Sequence, residues 1–162
     1  MSQAAKSQID PINRKNYGAI SPMLVVADLE KAYEFCQKAF GFEGRGIMPG
    51  PDGKPIHAEL KLRESVLMLG PEMPSRKVQS AKTLGNTPAT LYLYVEDVDQ
   101  VATRAVNAGA TLLQPATDMF WGDRTAMLAD PQGNKWMLAT HKSELTREQM
   151  DAAMKKQMAQ MS

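Results

Sequence analysis

The sequence contains two copies of one pattern at a constant shift of 69 residues, and no other feature constrains the fold as much. Residues 26–29 (VADL) align with 95–98 (VEDV), and residues 68–69 (ML) align with 137–138 (ML) at the same shift. A shift that holds across a whole module without gaps indicates a duplicated structural unit. The 162 residues therefore predict two small modules that share one core.

Each copy has the same predicted order of elements. A short strand ends at Asp28 or Asp97, which can cap the following helix, and Gly41 and Gly109 supply the stops. Apolar side chains recur along both helices at helical spacing. Three strands are then predicted in each copy, over about residues 43–49, 56–63 and 65–71 and over about 111–117, 124–130 and 134–141. The fold class is therefore α+β, with two paired βαβββ modules that form curved sheets around a cleft.

The predicted organisation has five parts. They are a polar N-terminal arm (1–18), a first βαβββ module (19–71), a linker loop (72–87), a second module (88–142) and a C-terminal helix (143–162). The length of the linker fits either a solvated tether or a lid over a ligand. A capping-box pattern opens the C-terminal helix, and four methionines at helical spacing favour a docked face over a partner surface. These are Met150, Met154, Met158 and Met161.

Composition narrows the class of protein. Hydrophobic residues make up 43% of the chain, and 19 Lys and Arg balance 18 Asp and Glu. The sequence has no dense basic run that could bind nucleic acid. It also has no apolar run long enough to span a membrane. The polar start has no apolar signal core, which favours a cytoplasmic protein. Cys36 is the only cysteine, so no intramolecular disulfide can form, and its apolar helical stripe predicts that it is buried.

Strand alternation predicts which side chains line the cleft. Over residues 90–95 the aliphatic side chains alternate with Thr90, Tyr92 and Tyr94, and the aliphatic face should pack on the helices. In the first module His57 and Glu59 alternate in the same way with Ala58 and Leu60. Side chains two apart on a strand point the same way, so a cleft would receive His57 and Glu59 together.

Several motifs in the correct order resemble one known family. They are AFG at 39–41, HAEL at 57–60, DMFWGDR at 118–124, DPQGNKW at 130–136 and ATH at 139–141. With the duplicated βαβββ plan, they resemble the vicinal oxygen chelate superfamily of glyoxalases, bleomycin resistance proteins and dioxygenases, and more narrowly its PhnB-like branch. The resemblance covers about residues 19–142.

The resemblance also identifies the positions of a metal site. Metal-using members carry His or Glu at four positions, which fall here on Ser21, Met68, Thr90 and Met137. The 69-residue shift relates these positions in pairs. Hydroxyls and thioethers are poor ligands for zinc, nickel, manganese or iron, so we expect no metal and no cofactor here. Metal-dependent glyoxalase or dioxygenase chemistry would then lose its main electrostatic contribution.

Two functions remain open from the sequence. The first is a binding module that captures a small organic molecule, with polar contacts from His57, Glu59 and Arg124. Its predicted cleft surface consists of Tyr92, Tyr94, Trp121, Met68, Met137, Ser21 and Thr90. The second is an enzyme of lyase, isomerase or transferase type that uses His57 and Glu59 as an acid–base pair or as a displaced metal site. The resemblance implies a homodimer.

Three polar residues have a structural interpretation beside the functional one. By the 69-residue shift Ala126 matches His57, so Arg124 should face the cleft and could bind an anion. Alternatively, Asp118 and Asp123 pair with Arg124 and only fix a turn. His57 could equally be a half-exposed strand residue that pairs with a neighbour. His141 is predicted to be a surface or capping group.

Overall fold

A computed structural model describes residues 11–12 and 14–160. The first module contains β1 (Met23–Val26), α1 (Leu29–Phe40), β2 (Glu43–Pro49), β3 (Pro55–Leu62) and β4 (Ser65–Pro71). A short 3-10 helix (Pro74–Arg76) and α2 (Ala81–Leu84) follow. The second module contains β5 (Thr90–Tyr94), α3 (Val98–Asn107), β6 (Thr111–Asp118), β7 (Asp123–Ala129) and β8 (Lys135–His141), and α4 (Arg147–Gln160) comes last. The predicted α+β class and the two βαβββ units are confirmed.

Each module forms one four-stranded sheet, and the two sheets have the same strand order. The orders are β1-β4-β3-β2 and β5-β8-β7-β6, with the first pair parallel and the other pairs antiparallel in each sheet. Met23 pairs with Met68, and Tyr92 pairs with Met137 at the equivalent place. The duplication seen in the sequence is thus preserved in the register of the strands.

The repeat shift changes by one residue on the third strand of the module. Met68 pairs with Glu59, whereas its equivalent Met137 pairs with Met127, which corresponds to a shift of 68. His57 therefore matches Thr125 and not Ala126. Because successive strand residues point to opposite faces, this one-residue slip reverses the face expected for β7 side chains.

Local capping explains where the two long helices begin and end. Asp28 Oδ1 accepts a hydrogen bond from the Lys31 amide at 3.1 Å, and Asp97 Oδ1 accepts one from the Gln100 amide at 3.0 Å. Gly41 ends α1 in the left-handed conformation at φ 75°, which a glycine adopts without penalty. The second helix, α3, ends at Asn107, and its C-cap is Ala108 instead of the predicted Gly109.

One hydrophobic core joins the modules. α1 packs on α3, and both helices cover one face of the sheets, so the buried aliphatic residues of the two units form a single cluster. Trp136 from β8 is 2% exposed, and its ring centroid lies 4.6 Å from that of Phe40 in α1. Cys36 is buried in this core, as predicted, and burial raises the pKa of its thiol.

The turn at 130–134 is held by a buried carboxylate. Asp130 Oδ1 accepts hydrogen bonds from the Gln132 and Asn134 amides at 2.8 and 2.9 Å, and its Oδ2 accepts one from Trp136 Nε1 at 2.9 Å. The Asp28 amide donates to Gln132 Oε1 at 3.0 Å, which links the turn to the first module. This motif therefore positions the two modules relative to each other.

The linker at 72–87 is anchored to the protein near its middle. Ser80 is 0% exposed, and its amide donates to Glu72 Oε1 at 2.7 Å. A Cβ added at Gly133 would lie 2.9 Å from the Lys82 nitrogen, so α2 contacts the 130–134 turn directly. Ser80 and Ala81 are therefore anchored, while most other residues of the linker are exposed.

The C-terminal helix has the predicted cap but not the predicted burial. Thr146 Oγ1 accepts from the Gln149 amide at 3.2 Å, and Gln149 Oε1 accepts from the Thr146 amide at 2.9 Å. No residue of α4 is buried, and Met158 is 62% exposed, so a face docked into the core is wrong for the described methionines. Met161 lies outside the described residues. No helix in the described ranges is long and apolar enough to span a membrane.

Candidate ligand-binding faces

Each sheet has one face covered by helices and one face that is not. On β3 the helix side carries Ala58 and Leu60, which are 1% and 0% exposed, while the His57 and Glu59 side chains point the other way and are 30% and 15% exposed. We name the uncovered sides the first open face (Met23, Met48, His57, Glu59, Met68) and the second open face (Tyr92, Tyr94, Asp123, Thr125, Met127, Met137).

One buried carboxylate organises the second open face. Asp123 is 3% exposed, and its Oδ2 accepts hydrogen bonds from Tyr92 Oη at 3.2 Å, Tyr94 Oη at 3.1 Å and Trp121 Nε1 at 3.1 Å. The tyrosine rings lie 5.4 Å apart between centroids and remain about half exposed. The polar ends of three aromatic side chains are thus satisfied by one group, and their rings are left available for contact.

His141 completes the hydrogen-bonding capacity of this carboxylate. Its Nδ1 lies 2.8 Å from Asp123 Oδ1, and its Nε2 lies 2.9 Å from Glu144 Oε1. Burial alone would raise the pKa of Asp123, but the hydrogen bonds from His141, Tyr94, Trp121 and Tyr92 outweigh burial and lower it. The same two carboxylates raise the pKa of His141. The cluster therefore favours an ionised Asp123 beside a protonated imidazole.

The turn before β7 places Trp121 next to this cluster. Gly122 has φ 99°, and the Lys142 and Ser143 amides donate to its carbonyl oxygen at 2.9 and 3.1 Å. A Cβ at Gly122 would lie 2.2 Å from the Ser143 carbonyl oxygen, so only glycine fits this close approach. The backbone after β8 thereby holds the turn that carries Trp121.

Glu59 is the centre of the first open face. Its Oε2 accepts a hydrogen bond from Tyr17 Oη at 2.5 Å and lies 3.6 Å from Arg45 Nη1, and its Oε1 lies 3.3 Å from His57 Nε2. The hydrogen bond from Tyr17 is the main cause that lowers the pKa of Glu59, and His57 and Arg45 add to it against the effect of burial. Glu59 is therefore a carboxylate whose donors are already arranged around it.

A β-bulge directs Arg45 into this cluster. Gly44 pairs with Leu60 and Gly46 pairs with Glu59, so Arg45 is the extra residue of β2. Gly46 has φ 116°, and its amide donates to Tyr33 Oη of α1 at 3.0 Å. The bulge re-aims the Arg45 side chain, as bulges commonly do beside binding sites.

The N-terminal arm covers part of the first open face. The Tyr17 ring has the Arg14 guanidinium 3.9 Å and the Arg45 guanidinium 5.0 Å from its centroid, within the range of cation–π contact. A cavity of about 510 Å³ lies between this arm, the bulged part of β2 and the side chains of His57 and Glu59. Its volume is in the range of small-molecule sites.

Known proteins share both the sequence pattern and the fold. The model of the glyoxalase/bleomycin resistance protein/dioxygenase superfamily matches residues 18–138. An uncharacterized protein of Mycobacterium bovis is 43% identical over 142 residues, which cover 86% of this chain and 93% of that protein. The chain belongs to the glyoxalase/bleomycin resistance protein/dioxygenase superfamily.

Two solved structures illustrate the fold of this superfamily. TioX from Micromonospora sp. ML1 aligns with a TM-score of 0.58 at 27% identity, over 75% of this chain and 98% of that chain. TnmS3, an antibiotic binding protein from Streptomyces sp. CB03234, aligns with a TM-score of 0.59 at 23% identity, over 83% of this chain and 100% of that chain. Both alignments agree with the fold described above.

The four positions that the resemblance identifies as metal positions carry side chains that are poor ligands for a divalent cation. Thr90 starts β5 and Ser21 lies just before β1, so two positions offer hydroxyls, while Met68 and Met137 offer thioethers. Among the strand partners of these two methionines the carboxylate is Glu59, which accepts a hydrogen bond from Tyr17 and lies close to His57 and Arg45. Within residues 11–12 and 14–160, no group of three or more His, Cys, Asp or Glu side chains could hold a metal ion.

Arg124 does not lie where the sequence placed it. Its Nε and Nη2 donate to Asp99 of α3 at 2.8 and 3.0 Å, and its Nη1 donates to Asp118 at 3.2 Å. The even-numbered residues of β7, which include the buried Ala126, face the helices. The expectation that Arg124 shares the face of His57 is wrong, because the repeat shift is 68 residues on this strand. The pairing with Asp118 is present, and the pairing with Asp123 is not.

Three residues of the open faces have roles that the sequence did not indicate. Asp123 accepts four hydrogen bonds on the second open face, His141 bonds to that carboxylate, and Tyr17 reaches Glu59 from the arm. Since Ala126 is apolar and belongs in the core, the alternation of side chains along β7 would have placed Asp123 on the opposite, open face. A lone tyrosine in a polar arm is the only sequence signal for Tyr17.

Proposed function

We propose that this protein binds a small organic molecule with a planar aromatic part on its open sheet faces, without a divalent metal ion. The carrying observation is the Asp123 cluster, which holds Tyr92 and Tyr94 half exposed with their hydroxyls already bonded. Rings fixed before binding lose little conformational freedom when a ligand stacks on them. Met137 is paired beside Tyr92 and adds adaptable apolar surface.

The proposal of metal-free binding rests on the donor set. Serine and threonine hydroxyls and methionine thioethers at the four positions would leave zinc, nickel, manganese or iron without a strong ligand. The ligand would instead be held by apolar contact, stacking and a few hydrogen bonds, as in most small-molecule sites.

An acid–base enzyme that uses His57 and Glu59 is the second candidate. Their contact of 3.3 Å is the observation that favours it. Against it, Tyr17, His57 and Arg45 together lower the pKa of Glu59, which weakens the carboxylate as a base at neutral pH. Turnover that disappears in His57→Ala and Glu59→Ala variants with unchanged melting temperatures would favour the enzyme over the binding protein.

A homodimer is part of the proposal. Exposed apolar side chains on both sheets and the methionines of α4 leave surface that a second copy would cover. The exposed aliphatic side chains on the strands include Met23, Ile47, Met48, Ile56, Leu112 and Leu113. Membership of the PhnB-like branch and a cytoplasmic location remain predictions.

Two matched ligands test the binding proposal. Titration calorimetry should show binding of 2-naphthamide, which is planar, and much weaker binding of its saturated analogue decahydronaphthalene-2-carboxamide, because only the planar ligand stacks. The variant with Tyr92→Ala and Tyr94→Ala should lose about tenfold in affinity, since each stacked ring contributes on the order of 1 kcal/mol. Val106→Ala, on the exposed side of α3, is the control and should bind as the wild type does. Equal affinity for both ligands, or no effect of the tyrosine changes, would contradict the proposal.

A further inference from the structure

Tyr17 lies in the first open face as a ligand would. Among residues 14–20 it alone is partly buried, while its neighbours are exposed. Its hydroxyl donates to Glu59 at 2.5 Å, and guanidinium groups lie 3.9 and 5.0 Å from its ring centroid. The arm thus contacts the sheet through one aromatic ring with one hydroxyl group.

The groups that receive Tyr17 are held by the folded module. Glu59 is in the middle of β3 and pairs with both β2 and β4. The bulge that aims Arg45 is held by Tyr33 of α1. His57 lies on the same face, 3.3 Å from Glu59. If Tyr17 moved away, an acceptor carboxylate and a guanidinium would remain at the surface of a cavity, in place for another molecule.

We call the groups around the Tyr17 ring, which are Glu59, Arg45 and His57, the socket. The chemistry of this socket favours one class of ligand. A carboxylate at its base accepts a hydrogen bond from a hydroxyl, and a charged acceptor makes that bond stronger than a neutral one would. The guanidinium favours the face of an aromatic ring. The cavity of about 510 Å³ lies beside the Tyr17 ring and is also lined by Ile47 and Met48, so a ligand larger than the tyrosine ring would have adjoining space for apolar substituents.

We propose that the first open face is a socket for hydroxylated aromatic molecules and that Tyr17 occupies it until such a ligand displaces it. This inference rests on the proposed function and names the ligand class of one of the two faces. Because Tyr17 is tethered nearby, it competes at a high effective concentration and lowers the affinity of every free ligand. Release of the arm then accompanies binding.

p-Cresol, the small-molecule analogue of the tyrosine side chain, is the probe for this socket. In titration calorimetry Tyr17→Ala should bind p-cresol at least about tenfold more tightly than the wild type, because the internal competitor is gone. Toluene, which lacks the hydroxyl, should bind this variant much more weakly. Lys15→Ala, an exposed change in the same arm, is the matched control and should behave as the wild type.

A second variant tests the acceptor. Adding Glu59→Gln to Tyr17→Ala should weaken p-cresol binding about tenfold, since a neutral acceptor replaces the carboxylate. Melting curves check that each variant is folded. Equal p-cresol binding by wild type and Tyr17→Ala, equal binding of toluene, or no effect of Glu59→Gln would overturn the inference. If p-cresol fails while 2-naphthamide still depends on Tyr92 and Tyr94, only this inference is lost; if both fail, the proposed function is lost as well.

Discussion

Nδ1 of His141 lies 2.8 Å from Oδ1 of Asp123, so the last residue of β8 is bonded to the first residue of β7. The other oxygen of Asp123 holds Tyr92, Tyr94 and Trp121. One buried carboxylate therefore fixes the aromatic surface of the second open face and the chain that leads towards α4. Both the stability of the second open face and its affinity for a ligand should therefore depend on Asp123.

Replacing this carboxylate should destabilise the protein. Asp123→Asn removes the negative charge and leaves one acceptor oxygen for the four donors that bond to Asp123. We expect a loss of about 2 kcal/mol in the free energy of unfolding, measured by urea unfolding. Asp118→Asn is the control: its side chain is 76% exposed and pairs with Arg124 at the surface, so the change should have little effect. Equal losses in both variants would mean that the Asp123 cluster has no special role.

The same cluster predicts a pH dependence. The pKa of His141 is raised in the folded protein by Asp123 and Glu144. Its stabilising contribution is therefore fully present below the pKa of an unfolded histidine, about 6.5, and is lost as the pH rises through the raised folded value.

Urea unfolding of the wild type and His141→Gln across pH 5 to 9 measures this dependence. The difference in stability should be largest at the acid end and should shrink as the pH rises. A difference that is constant across the range, or that grows with pH, would contradict the assigned ion pair.

Gly122 should tolerate no side chain. Gly122→Ala places a Cβ at φ 99° where the Ser143 carbonyl oxygen lies 2.2 Å away, so both backbone strain and a clash oppose it. Gly85→Ala is the matched control, because Gly85 has φ 73° and no atom within 4 Å of the added Cβ. We expect a loss of about 1 kcal/mol for Gly85→Ala and a clearly larger one for Gly122→Ala in urea unfolding. The reverse order would show that the turn relaxes freely.

The methionines of α4 supply a test of the proposed dimer. Met150 and Met154 are only partly covered within one chain. If a second copy covers them, Met154→Glu should raise the dissociation constant of the dimer in sedimentation equilibrium without lowering the melting temperature of the monomer. Lys155→Glu, one residue along the helix and exposed, is the control. A monomeric wild type, or unchanged dimerisation of Met154→Glu, would contradict this role of α4.

The fold was largely predictable because its signals are local. Asp28 and Asp97 cap their helices as expected, and the three strands predicted after each helix start and end within one residue of the observed ones. Alternation along residues 90–95 also placed Tyr92 and Tyr94 on the exposed side. Helix caps and the alternation of side chains along a strand depend on neighbouring residues, and in a duplicated chain each of these signals occurs twice.

The polar clusters were not predictable in the same way. Arg124 was placed on the wrong face because one residue of difference between the repeats reverses a strand. Tyr17 meets Glu59 across 42 positions of sequence, and the four donors to Asp123 come from β5, β8 and the turn before β7. Such contacts depend on tertiary packing, which no local period encodes.

We propose that ligand binding needs no divalent metal, because hydroxyls and thioethers occupy the four positions that the resemblance identifies as metal positions. A zinc titration of chelator-treated protein tests this proposal most directly. We predict no stoichiometric zinc binding by the wild type in titration calorimetry. As a positive control, the variant with Ser21→His, Met68→Glu, Thr90→His and Met137→Glu should gain one zinc site per chain. Stoichiometric zinc binding by the wild type, abolished when Met68 and Met137 are replaced by leucine, would contradict the claim.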